Sequence, residues 1–298
     1  MHHGIAAAAN ARRDRAPHVV PEARRDAVSA LVTSFRMYDA TPAVAAGWRE
    51  LFERVFDAVG ADVRFVAHRY PQPIASLWRE PGLCAAFMCG WPFVRATVRM
   101  QAIAAPVPSP PRYAGLARYC SEFLVRDDSG WASLEDTFGQ RIGWMPPDSQ
   151  SGFNAPRAML ARYVTEGRRT LYRQSCGPFM TPAKLMDALR ANEVDVVAVD
   201  GFYLDLVRHS EPAMLAGVRT VATTPWTPIP LLVAAPGVDT DLVARLREHL
   251  VTLHEDSASA AYLRDVALAR FVIPDLASYA QLPALARFAI ERGYETIV

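Results

Sequence analysis

Apolar positions along this chain fall into two kinds of block: short runs that are apolar throughout or at every second residue, and longer stretches with helical spacing. Residues 27–35 read as a first buried strand. Thr41 and Pro42 then open a helix predicted to run to about Val59, because threonine suits an N-cap and proline the first helical turn. Residues 63–66 alternate like a second strand and residues 74–79 form a short helix. Residues 83–89 are apolar without interruption, as expected of a strand covered on both faces. A fourth strand spans residues 100–105, and the prolines from Pro106 to Pro111 suit a crossing or hinge. Beyond it the pattern predicts strands at 119–126, 140–145, 171–176, 194–199, 218–223 and 231–235. Helices at 133–139, 155–163, 181–191 and 203–209 lie between them, and the remainder reads as mainly helical.

Strands alternating with helices throughout argue for an α/β fold with mostly parallel sheets flanked by helices. A second proline-marked segment at residues 225–230 matches the first, and the two bracket a middle stretch of ordinary domain size. The expected division is therefore one lobe from residues 26–112 plus 227–298 and a second from residues 113–226. Residues 1–25, rich in Ala and Arg and without apolar periodicity, are expected to be a mobile arm.

Composition narrows the function classes. A chain of 298 residues, about half of them apolar, can bury a large core. Its formal charge of +1 argues against nucleic acid or an anionic membrane surface as a partner. No apolar run is long enough to span a bilayer, so the protein is not expected to be membrane-embedded. The alanines at 6–9 precede Arg12, Arg13 and Arg15, the reverse of a secretory signal. A cytoplasmic location is the expectation, with the periplasm as the alternative if a leader was removed or the start is misassigned. Cys84, Cys89, Cys120 and Cys176 show no metal-type clustering. Cys84 and Cys89 bracket one extended strand, which places their Cα atoms beyond bridging distance, so reduced thiols are predicted.

The richest local chemistry is Pro147-Asp148-Ser149-Gln150-Ser151-Gly152-Phe153-Asn154, between a strand and an amphipathic helix. A helix start leaves backbone N–H groups unpartnered at the positive end of its dipole, and Ser149 and Ser151 add hydroxyl donors, so the loop suits a small oxyanion. It also reads as an ordinary N-cap. In the same way Tyr38 and Trp91 read as core aromatics, Asp200-Gly201 as a strand-ending turn, and Trp226 as packing or lining a cleft. A Cys89 nucleophile would need an activating His or helix start, and none is readable nearby.

Taken in order, Met37-Tyr38-Asp39, Cys89-Gly90-Trp91-Pro92, the serine-rich loop and Val199-Asp200-Gly201-Phe202-Tyr203 resemble the phosphate/phosphite/phosphonate-binding proteins of ABC transporters. The resemblance covers residues 28–270 and implies a two-lobed type 2 periplasmic-binding-protein fold with two interdomain crossings. It implies non-catalytic binding of a small oxyanion, one that can carry an amine, with no cofactor and with an ABC permease as partner. Ser149, Gln150, Ser151 and Gly152 would hold the oxyanion, Tyr38 and Trp91 would close over it, and Asp200, with Tyr203 beside it, would meet an amine or a protonated oxygen. Two other readings stay open: a cytoplasmic ligand sensor, and an enzyme on the same fold such as a pyrimidine-precursor synthase.

Overall fold

The computed structural model describes Met1 and residues 30–298. The arm expected over residues 1–25 lies, Met1 aside, outside the described residues, as does the start of the first predicted strand.

The chain begins with β1 (Val32–Thr33) and α1 (Pro42–Val59). The Thr41 hydroxyl caps α1 by accepting the Val44 N–H, and Gly60 ends the helix in the left-handed region at φ 67°, where glycine is favoured. β2 (Arg64–Phe65), α2 (Ile74–Leu77), β3 (Leu83–Met88), α3 (Gly90–Arg95) and β4 (Gln101–Pro108) follow. A crossing that contains β5 (Arg118–Tyr119) leads to β6 (Ser121–Arg126), β7 (Arg141–Gly143), α4 (Ala155–Leu160), β8 (Gln174–Cys176) and α5 (Pro182–Arg190). Then come β9 (Val196–Asp200), α6 (Gly201–Ser210) and β10 (Val218–Thr223). The return passes through β11 (Thr227–Pro228) to β12 (Leu231–Ala234), α7 (Thr240–Thr252), α8 (Ala260–Asp265), β13 (Leu268–Val272), α9 (Leu276–Tyr279) and α10 (Leu282–Glu291).

Two large sheets result, ordered β13-β4-β12-β3-β1-β2 and β10-β6-β9-β7-β8, with β11 and β5 forming a two-stranded third. The large sheets are mixed rather than mostly parallel. β1 pairs in parallel with β2 and β3, and β7 with β8 and β9. β6 and β12, the first long strands after each crossing, run against both of their neighbours. The reason is directional: a chain entering a lobe from the crossing runs away from it, whereas the βα strands run towards it. β13 is a further difference, a strand within the stretch expected to be helical, recruited by antiparallel pairing with β4.

The prolines also sit otherwise than expected. Pro106 and Pro108 belong to β4, which β12 flanks only as far as Ala104, so their missing N–H groups fall beyond that pairing. The crossing proper is the antiparallel ribbon of β5 and β11, with Tyr119 opposite Thr227. Behind it lies a dense charge network. Arg112 donates to Glu122 Oε1 (2.7 Å) and Asp205 Oδ2 (2.8 Å), and Arg208 to Glu122 Oε2 (2.6 Å) and Asp205 Oδ1 (2.8 Å). The Thr220 hydroxyl also donates to Glu122, and the Tyr113 hydroxyl to Asp205. Crossing, β6, β10 and α6 are thereby tied together.

The five-stranded sheet has two apolar faces. Val197, Val199 and Leu124 join the large core that runs on into the first sheet, while Val196, Ala198, Phe123 and Val125 face a second core, as the two-residue period of a strand requires. Tyr294 and Ile297 belong to that second core. The Leu171 N–H donates to the Val298 carbonyl, and Arg157 Nη1 to that of Glu295. The end of the chain therefore packs on the second sheet, not with the first lobe as the division at residues 227–298 expected. Apolar residues at the C-terminus cover a face that the middle segment leaves open.

Candidate functional site

β7 and β9 each end in a turn that starts a helix, and these turns carry most of the polar groups singled out in the sequence. After β7 the helical turns begin at Gln150, two residues ahead of the expected start at Gly152. Ser149 is the cap, its Oγ accepting the Gly152 N–H at 2.9 Å. Residues Gln150–Asn154 form a wide turn in which the Ala155 N–H reaches the Gln150 carbonyl. Gln150 points inward: its Oε1 accepts from Asn154 Nδ2 (2.9 Å), and its own side-chain nitrogen is buried without a partner among the described residues. Gly152 is required by space, since a Cβ there would lie 2.4 Å from Met145 Cβ.

After β9, Asp200 caps α6. Its Oδ1 accepts the N–H groups of Phe202 (2.8 Å) and Tyr203 (3.0 Å), and Oδ2 receives the Tyr38 hydroxyl at 3.4 Å. Tyr38 comes from the short turn after β1 and is fully buried, edge-on to Phe87 and Phe202. Trp91, at the start of α3, donates its Nε1–H to the Pro147 carbonyl at 3.1 Å, and Arg95 stacks over its ring.

Between these elements lies a cavity of about 390 Å³ lined from both sheets. Ser149, Ser151, Asp200 and Tyr203 line it. Tyr38, Trp91, Gln150 and Gly152 are brought close but do not line it; they are buried supports of the residues that do. Tyr38 and Trp91, expected to close over a ligand, do not face this cavity. Each was one residue or so from the lining, which takes Met37 and Asp39 on either side of Tyr38, and Cys89 two residues before Trp91. Arg36, His68, Trp78 and Thr181 also line the cavity, and no local signal marks them. Trp226 lies elsewhere, against Arg118 and Tyr113 at the crossing.

The cavity's electrostatics follow from burial. Asp200 is pushed up to about 7 because desolvation outweighs the two backbone N–H groups and the Tyr38 hydroxyl that favour its charged form. Burial raises Asp39 and Asp148 as well. His68 is lowered, by burial first and then by the charge of Arg36, to which its Nδ1 is bonded at 2.7 Å. Burial and the nearby Asp200 push the Cys89 thiol up to about 12, so it stays protonated at neutral pH. All four cysteines are free. Among the described residues no group of His, Cys, Asp and Glu has the arrangement of a metal site, and no helix is long and apolar enough to cross a membrane.

Residues 38–279 match the family described as ABC transporter, phosphonate, periplasmic substrate-binding protein. A binding-protein component of an ABC phosphonate transporter from Pseudomonas aeruginosa superposes with TM-score 0.73 at 16% identity, over 89% of this chain and 87% of that one. PhnD1 from Prochlorococcus marinus, solved with methylphosphonate, superposes with TM-score 0.69 at 16% identity, over 87% of this chain and 97% of its own. A Xanthomonas citri protein solved with ATP has TM-score 0.60 at 18% identity, over 89% and 98%. These structures share the two-lobed periplasmic-binding-protein fold with the chain. Among curated protein sequences none matches it.

Proposed function

The chain belongs to the family of periplasmic substrate-binding proteins of phosphonate ABC transporters, and on that premise we propose that its cavity captures a phosphonate, phosphite or phosphate-like oxyanion without catalysing a reaction on it. The observation that carries this reading is the convergence of Ser149 and Ser151 with Asp200, some fifty residues apart, on one cavity. Because the Ser149 oxygen already accepts the Gly152 N–H, its own proton is free to donate to a ligand oxygen. Asp200 Oδ2, held among the described residues only by a long bond from Tyr38, is placed to meet a ligand ammonium or a protonated oxygen. A thiol pushed up to about 12 is a poor nucleophile, which supports binding over catalysis.

In this reading residues 30–112 with most of 227–298 form one lobe and residues 113–226 the other, closing about the β5–β11 ribbon. The family's periplasmic station supports the periplasmic alternative over the cytoplasmic expectation, and a permease as the partner. The test is a native mass spectrum of freshly purified protein followed by titration calorimetry with methylphosphonate, 2-aminoethylphosphonate, phosphite and phosphate. Binding of one or more, weakened by Ser149→Ala and Ser151→Ala, is expected; no binding of any, or turnover of the bound compound, overturns the reading. Cell fractionation of the native gene product decides the location.

A further inference from the structure

The cavity is larger than the oxyanion its serine loop suits. At about 30 Å³ per water, 390 Å³ is room for about 13 water-sized units, against about five heavy atoms in methylphosphonate. Cavities above about 300 Å³ ordinarily enclose organic ligands through mostly apolar walls and a few placed polar groups. This lining divides by segment. Ser149, Ser151 and Asp200 come from the two strand-to-helix turns of the second sheet, whereas α2 and its C-cap present Ile74, Ala75 and Trp78, with the polar His68, Arg69 and Tyr70 on the segment before them. Trp78 is apolar towards the cavity, because its Nε1–H is spent on the Phe87 carbonyl at 3.0 Å. Met37, Met145 and Met180, from three separate loops, add thioether surface to the lining. Thioether side chains adapt their shape to what they enclose, and such a wall gains free energy only when an apolar group displaces its water.

We propose that the ligand is an organophosphonate carrying an apolar substituent of aromatic or branched-chain size. Its oxyanion lies at Ser149 and Ser151, and its apolar body against Ile74, Ala75 and Trp78 of α2 and its C-cap. This rests on the oxyanion reading above and adds the class of substituent.

The test is calorimetry of benzylphosphonate and methylphosphonate on the wild-type chain and on Ala75→Phe, which fills the apolar side. Benzylphosphonate should bind wild type at least about tenfold more tightly than methylphosphonate, the gain expected from burying a ring. Ala75→Phe should erase that advantage and leave methylphosphonate within about twofold of wild type. Equal or weaker binding of benzylphosphonate by wild type overturns the substituent class while the oxyanion reading stands, and this comparison decides whether or not the variant folds. An Ala75→Phe protein that binds methylphosphonate normally and keeps the benzyl advantage also overturns it. If wild type binds neither compound, the oxyanion reading itself falls, and this inference with it.

Discussion

The hydroxyl of Tyr38 donates to Asp200 Oδ2 at 3.4 Å, joining the turn after the first strand to the cap of α6. Both residues stand where the ligand was expected, yet only Asp200 lines the cavity. Tyr38 acts through it. A fully buried phenol, wedged between Phe87 and Phe202, supplies one long bond to an acid that no salt bridge neutralises among the described residues. The Trp91 Nε1–H bond to Pro147 and the Thr41–Ser210 hydroxyl contact at 2.9 Å likewise run between the chain segments of the two sheets. Residues that look like ligand contacts in the sequence thus hold the walls of the cavity together.

The raised Asp200 makes stability depend on pH with a defined sign. Its ordinary value is 3.8 and its folded value about 7, so between these the folded protein holds a proton that the unfolded chain has released. The favourable contribution is complete below about pH 4 and is lost as pH rises through about 7. Asp200→Asn resembles the protonated acid and can still cap α6. Relative to wild type, the variant should therefore gain a few kcal/mol between pH 4 and pH 8, at about 1.4 kcal/mol per pKa unit. Urea unfolding of both proteins at the two pH values checks this, and parallel profiles contradict it.

The same substitution separates ligand types. For 2-aminoethylphosphonate, or an oxyanion bound in its protonated form, Asp200→Asn should cost about 1.5–3 kcal/mol, the range for hydrogen bonds to charged groups. For a fully ionised, amine-free oxyanion it should be neutral or favourable. Titration calorimetry across both ligand types reads the difference, and unchanged affinity for every ligand removes Asp200 from the site.

Gly152→Ala tests the serine loop without touching a hydroxyl. The added Cβ meets Met145 Cβ at 2.4 Å and Cγ at 2.6 Å, while the Met145 N–H holds the Gly152 carbonyl at 3.1 Å, so neither strand nor turn can retreat alone. A loss of about 1–3 kcal/mol in unfolding free energy is expected. Met145→Ala should not rescue it, because alanine keeps the Cβ that clashes first. Chemical denaturation of the single and double variants gives the answer.

Glu122 is the keystone of the charge network behind the crossing. Its side chain is 2% exposed and serves both Arg112 and Arg208. Burial pushes its carboxyl up, but the hydrogen bonds from Arg208 and Thr220 and the two guanidinium charges outweigh it and hold the group below the usual range. Its contribution is therefore present above about pH 4.5 and is lost as pH falls through the lowered folded value. Glu122→Ala leaves Arg112 and Arg208 with Asp205 as the acid they share and removes the partner of the Thr220 hydroxyl, so it should cost about 1.5–3 kcal/mol at neutral pH, with the deficit shrinking in acid. Thermal or urea unfolding against pH measures both.

Much of this architecture is written in local pattern. Thr41-Pro42 and Thr181-Pro182 start α1 and α5 as their capping chemistry dictates, the uninterrupted apolar run ending at Met88 is β3, and Ser149 and Asp200 each cap the helix that follows them. These features depend on hydrogen bonds and burial within a few residues of chain, which sequence spacing encodes directly. That Ser149, Ser151 and Asp200 line one cavity is not in this local pattern, which by itself reads as caps and turns; the family resemblance is what singles them out. What lies beyond them was decided by tertiary structure. β13 is a strand only because β4 offers it an edge, and β6 and β12 are antiparallel because of where the chain re-enters each sheet. The C-terminus crosses to the second core to cover a face left open by residues far away. Likewise Cys89 rather than Trp91, and Met37 and Asp39 rather than Tyr38, line the cavity. The rotation of each turn against its neighbours decides which of adjacent side chains is buried as support and which faces the ligand space, and packing between distant segments sets that rotation.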